Sequence, residues 1–170
     1  LQQGVQAGDS QRVKTASGEL LEKFNGTSYA SLGALSAAKA MIDAGDAKTA
    51  KAQLLWVAEK GKDELRDLAR LRVAALMADD KEYEQALKQL DGSVSPGFEA
   101  RFAESRGDVL AAQGRRGEAA EAYRQALAAL PGDAGDGKSA NPAPGWQGQT
   151  IAVYRDILQQ KIDFLGESTP

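Results

Sequence analysis

The sequence predicts an all-α fold, a right-handed solenoid of helical hairpins closed by a C-terminal capping helix. Three observations carry that expectation. First, the segment around residues 100–131 places Gly107, Gly114, Ala119, Tyr123, Ala126 and Pro131 where two antiparallel helices touch, turn and stop. Second, equivalent alanines recur at Ala50, Ala86 and Ala119, with separations of 36 and 33 residues. An alanine at a helix contact lets two backbones approach more closely than a larger side chain would. Third, β-branched alternation of the kind that marks strands is almost absent.

Numbered from Gly107 as position 8 of a unit of about 34 residues, the remaining residues fall at 15, 20, 24, 27 and 32. That is the tetratricopeptide spacing, and such repeats stack into binding scaffolds. The first-helix Trp and Tyr of the pattern are replaced by Ala103 and Leu110.

Each element follows in order, within one domain over 1–170. Residues 1–8 read as a helix end closed by Gly8, and Asp9 or Ser10 caps a leading helix over about 10–24. Val13, Leu20, Leu21 and Phe24 form its buried side. Asn25-Gly26 is a turn, and Thr27 or Ser28 caps the next helix. The first hairpin spans about 28–59, with its break at Gly45-Asp46. Taking Gly45 as position 15 puts Ala50 at 20, Leu54 at 24 and Val57 at 27. The second hairpin spans 64–91, with Tyr83, Ala86 and Leu90 in its second helix. Ser93–Gly97 is a linker, and the third hairpin covers about 99–130. Residues 132–148, rich in Gly and Pro, read as a mobile loop. A last helix over about 149–165 carries the apolar stripe Ile151, Tyr154, Leu158, Ile162 and Leu165. Its outer face reads as polar, from Arg155, Asp156, Gln159, Gln160 and Asp163, as a cap requires.

Composition narrows the chemistry. The net charge is −3 and charged residues make up 26%, which gives no basic face for nucleic acid. With no Cys there is neither a disulfide nor a thiolate metal site, and both the cytoplasm and the periplasm suit such a chain. With no His, the commonest general base and zinc ligand is absent, so triads built on His are excluded. No catalytic residue, cofactor or metal site is predicted. No run of about 18 apolar residues occurs. The chain begins at Leu1, inside what reads as a helix, so an upstream segment is expected.

The candidate site is a protein-binding groove. In stacked hairpins the first helix of each lines the inner surface. Its groove positions are Leu32, Leu35, Lys39 and Ile42, then Leu68, Leu71, Ala75 and Ala78, then Arg101, Glu104, Asp108 and Ala111. The first two sets offer an apolar surface for an extended or helical peptide, and the third a charged one. Against this stands the possibility that the N-terminal or C-terminal helix fills the groove. The Lys and Asn pairs of a carboxylate clamp are missing. Trp146, in the loop, is either a binding anchor or a cover for an apolar edge. Trp56 reads as helix packing. The acidic clusters Asp63-Glu64-Asp67, Asp79-Asp80-Glu82 and Asp133-Asp136 read as helix caps rather than catalytic pairs. Residues 132–141 lack the spacing of a calcium or phosphate loop.

KFNGTSYASLGALSAAKAMIDAGDAKTAKAQLLWV (23–57), ELRDLARLRVAALMADDKEYEQALKQLDG (64–92), FEARFAESRGDVLAAQGRRGEAAEAYRQAL (98–127) and LQQKIDFLG (158–166) together resemble the YfgM-like family. Members of that family are ancillary subunits of the SecYEG translocon. The resemblance covers essentially the whole chain; the departure is the loop 132–148. It implies a single-pass inner-membrane protein with its anchor upstream of Leu1 and this tetratricopeptide-like domain in the periplasm. It also implies protein partners: the translocon, a membrane-anchored periplasmic chaperone and unfolded secretory chains. No catalytic residues come with it. The competing expectation is a cell-envelope assembly scaffold of the tetratricopeptide lipoprotein kind. The residues leave the oligomeric state open.

Overall fold

The computed structural model describes residue 1, residues 9–131 and residues 148–167. Among these, every regular element is a helix: α1 (Ser10–Lys23), α2 (Ser28–Asp43), α3 (Ala47–Lys60), α4 (Asp63–Asp79), α5 (Tyr83–Gln89), α6 (Glu99–Ala112), α7 (Arg116–Ala129) and α8 (Gly148–Glu167). The fold is all-α. The chain divides into two compact units, Leu1–Asp80 and Lys81–Pro170. Expectations for residues 2–8, and for the loop as far as residue 147, fall outside the described residues.

In the first unit α1 packs on α2, α2 on α3, and α3 on α4, while α2 and α4 also touch. The core is rich in small residues: Ala30, Ala34, Ala37, Ala38, Ala50, Ala69 and Ala74 are buried beside Met41, Leu54, Val57 and Val73. Helix backbones approach closely wherever these side chains end at Cβ. Gly33 takes this furthest. A Cβ there would lie 2.0 Å from the Leu20 Cδ2 atom, so the α1 side chain occupies the space a side chain on α2 would fill. α1 is fixed further by Ser17, wholly buried, whose hydroxyl donates to Gln53 Oε1 at 2.8 Å. Lys14 pairs with Asp46.

Side-chain oxygens satisfy the first backbone N–H groups of three helices. Asp9 accepts from Arg12 N at 3.1 Å, Thr27 from Ala30 N at 3.2 Å, and Asp46 from Thr49 N at 3.0 Å. Asp67 is the deeply buried acid of this unit. It is fully shielded and held by Arg66 at 2.9 Å and Arg70 at 3.1 Å. It is thus an internal ion-pair acceptor, whereas Asp63 and Glu64 lie in the first turn of α4 as a capping role requires.

In the second unit α6 and α7 form a hairpin, α5 packs on α6, and α8 packs on α7. Gly107 faces the Tyr123 ring, and a Cβ on it would fall 2.4 Å from Tyr123 Cε1. The ring therefore lies directly on the α6 backbone. Ala100, Leu110, Ala119, Ala122, Tyr123, Ala126 and Leu130 form the core with Leu158 of α8. Arg106 closes the segment after α5, donating to Leu90 O at 2.9 Å and Asp91 Oδ1 at 2.7 Å.

Two helix-ending turns share one geometry. Gly45 has φ +78° and Gly114 has φ +78°. Asp46 N donates to Met41 O at 2.8 Å, and Arg115 N donates to Leu110 O at 2.9 Å, the six-to-one bond of a glycine C-cap. At the third such place a lysine adopts the left-handed conformation, Lys81 at φ +63°. A Cβ in that conformation is strained.

Replacing Lys81 with Gly should therefore raise stability, by up to about 1 kcal/mol after the added freedom of the unfolded chain is subtracted. Gly45→Ala and Gly114→Ala should lower it by about 1 kcal/mol. Urea midpoints of the three variants check the signs.

Asp46 provides a pH test. The hydrogen bond from Lys14, then those from Thr49, hold its carboxyl down at about 2. A depressed native pKa stabilises the fold above the unfolded value of about 4, and that contribution disappears as the pH falls from about 4 to about 2. Asp46→Asn should keep a cap but remove this part of the acid limb, seen as a flatter urea midpoint over that interval.

Candidate protein-binding surface

The predicted groove residues divide between the two units. In the first, α2 is the main apolar carrier. Leu32 is 52% exposed, Ile42 42% and Tyr29, one turn before Leu32, 79%. Their exposure follows from helical spacing, since Ala30, Ala34, Ala37, Ala38 and Met41 point the other way. Lys39 lies on the same exposed face and reaches Asp43 at 2.7 Å. Leu35 departs from expectation. It is only 5% exposed, although Ile42, seven residues on, shares its side of α2 and is open. On α4, which touches α2, Leu68, Leu71 and Ala78 are half-buried and Ala75 is exposed. Leu32, Ile42, Leu68, Leu71 and Ala75 thus belong to neighbouring helices of one unit.

The charged set in the second unit is engaged within the chain. Lys161 of α8 places its Nζ 2.7 Å from Glu104 Oε1 and 2.7 Å from Asp108 Oδ1. The same ammonium lies 5.3 Å from the centre of the Tyr123 ring, whose negative face attracts a cation. Tyr123 donates its hydroxyl to Asp108 at 2.7 Å, and Tyr154 donates to Glu104. Arg101 is exposed and Ala111 half-buried. The carboxylates expected to face a partner are therefore neutralised by the protein's own last helix. Burial, reinforced by the carboxylate each hydroxyl faces, raises the pKa of Tyr123 and of Tyr154 well above the ordinary phenol. For Lys161 burial favours the neutral form, but hydrogen bonds to Asp108 and Glu104 outweigh it and hold the ammonium charged.

The phenols stay protonated and the ammonium stays charged, so none of them is prepared to move a proton near neutrality. No helix among the described residues is long and apolar enough to cross a membrane. Trp146 and the pair Asp133 and Asp136 lie outside the described residues. Trp56 is half-buried on α3, and Asp80 pairs with Lys51 at 3.1 Å.

Sequence reasoning missed two features, both on α8. One is Lys161, whose position beside the apolar stripe was the available sign. The other is a second apolar stripe, beside the face read as polar: Val153 is 59% exposed, Ile157 42% and Phe164 68%. Its spacing of four and then seven residues was visible in the sequence.

These features define an all-α scaffold of helical hairpins that presents side chains for contact. The chain belongs to the tetratricopeptide repeat-like domain family, whose model matches residues 1–142. It is similar to a protein of Neisseria gonorrhoeae (strain ATCC 700825 / FA 1090) described as an ancillary SecYEG translocon subunit, at 34% identity over 132 residues. The match takes in 77% of this chain and 54% of that protein, so the chain spans about half the length of this relative. No solved structure matches.

Lys161→Met should cost about 1–2 kcal/mol, less than a fully buried pair because the site is part-exposed, and it leaves Glu104 and Asp108 without their shared cation. Adding Glu104→Gln to that variant should restore part of the loss. A double-mutant cycle in urea measures this coupling; strict additivity would show that the pair contributes nothing.

Proposed function

We propose that this chain is a non-catalytic protein-interaction module, the periplasmic part of an ancillary translocon subunit that assists secreted proteins. In this reading the protein is held in the inner membrane by a segment upstream of Leu1. Its partners are the translocon, a membrane-anchored periplasmic chaperone and unfolded secretory chains. The observation that carries the reading is the exposure of Tyr29, Leu32 and Ile42 on α2, a helix that touches α4 with its half-buried Leu68 and Leu71. Large apolar side chains left open on one face are a contact surface for apolar partner side chains. The similarity to a translocon subunit supports the choice of partner. Lys39 and Ala75 border the surface. Arg101, Glu104 and Asp108 belong to the second unit, where Lys161 engages Glu104 and Asp108.

A photo-crosslinker at Leu32 of the full-length protein in membranes tests the proposal. Adducts to translocon subunits, the chaperone or nascent secreted chains are expected. Leu32→Ser with Ile42→Ser should reduce them about tenfold or more, given about 1.5 kcal/mol or more for each buried aliphatic side chain. Adducts confined to the protein's own helices would overturn it.

A further inference from the structure

The turn between α1 and α2 leaves a reactive pair of residues open. Asn25 and Gly26 are both exposed, and the Asn25 carboxamide makes no hydrogen bond among the described residues. Two bonds hold the turn from outside the pair. Thr27 N donates to Phe24 O at 3.1 Å, and the Thr27 hydroxyl donates to the same oxygen at 2.7 Å. The Gly26 amide takes part in neither and has no acceptor among the described residues. Apart from its chain neighbours, no described heavy atom lies within 4 Å of where a Cβ on Gly26 would stand. Having no side chain, Gly26 leaves its own nitrogen unshielded.

We propose that Asn25 is a deamidation site of the folded protein. The Gly26 nitrogen gives up its proton and attacks Asn25 Cγ, forming a carbon–nitrogen bond that closes a cyclic imide. The Cγ–Nδ2 bond breaks, and the amide nitrogen leaves with a proton as ammonia. Water then opens the imide. Attack at Cγ gives aspartate at position 25. Attack at the main-chain carbonyl carbon gives isoaspartate, whose backbone runs through the former side chain. The sum is hydrolysis of one amide by one water, with no change of oxidation state.

The two products act differently on α2. Aspartate places a carboxylate two residues before the cap Thr27, near the positive end of the helix dipole, where negative charge is favourable. Isoaspartate lengthens the main chain by a methylene inside the turn that Thr27 ties to Phe24, and so disturbs the cap that Thr27 supplies to Ala30 N. The same helix carries the exposed Tyr29 and Leu32. Ageing of the protein therefore begins at the start of its most open apolar helix.

The test incubates the folded chain at neutral pH beside a peptide of residues 23–29, and peptide mass mapping follows the replacement of NH2 by OH. The folded chain should convert within about tenfold of the peptide's rate, whereas a route through global unfolding would slow it by about a thousandfold or more. Aspartate and isoaspartate should both appear at position 25. Asn25→Gln, whose longer side chain must close a larger ring, should stop the conversion, and circular dichroism should show it folded because the position is exposed. The chain's other asparagine, Asn141, is an internal control, since Pro142 carries no N–H to lose. Conversion of the peptide while the folded chain stays unchanged overturns the proposal. So does a mass gain that persists in Asn25→Gln, or aspartate without isoaspartate, which marks direct hydrolysis of the side chain. These readouts do not use the Leu32 crosslink, so this proposal and the proposed function fail separately.

Discussion

Close approach of helix backbones is the constraint on which the structure depends. Ala50, Ala86 and Ala119 are each fully buried, and Gly33 and Gly107 accept a neighbour's side chain where a Cβ would stand. Small contacts bring helices near enough for short polar side chains to act across them, as Ser17 does toward Gln53. The stability of such a core comes from many shallow contacts rather than a few large side chains, because dispersion falls off steeply with separation. It also explains why aromatic residues make up only 6% of the chain. For the buried Tyr123, a glycine opposite makes the room.

That constraint is also why the fold class was legible. A requirement for Ala or Gly at a contact shows in the sequence as a residue type at a fixed period. Capping likewise declares itself through Asp9, Thr27 and Asp46, since only a few side chains accept from the first turn. The site was read less well because exposure also depends on what the rest of the chain lays over a face, and a helix's own periodicity does not record that. Leu32 and Leu35, three apart on one side of α2, are open and closed respectively. The sorting of charge on α8 was illegible for another reason. Whether Lys161 faces solvent or Glu104 is decided by a helix 53 to 57 residues earlier in the chain, and no local pattern records that.

The two units handle polar burial in contrasting ways. In the first, Asp67 is fully enclosed and served by arginines of its own helix, Arg66 and Arg70. The local helix thereby supplies the acid with two cations, one of them at i, i+3. In the second, the acids of α6 are compensated from α8, so the ion pair depends on tertiary structure. An interaction of the first kind survives rearrangement around it. The second kind reports whether α8 is in place, because only docking of that helix supplies the cation.

The distance from the left-handed residue between the two helices of each hairpin to the alanine that follows is constant. Gly45 to Ala50, Lys81 to Ala86 and Gly114 to Ala119 are each five residues, although successive units differ by three in length. Every turn thus resets the phase of the chain, and an error in length made within one unit does not propagate into the next. The difference in length lies after the alanine, where α5 has 7 residues against 14 in α3 and the connection Ser93–Gly97 follows it. An architecture of this kind accommodates insertions and deletions in its joints while keeping its contact geometry, and its members can drift in length faster than they drift in shape.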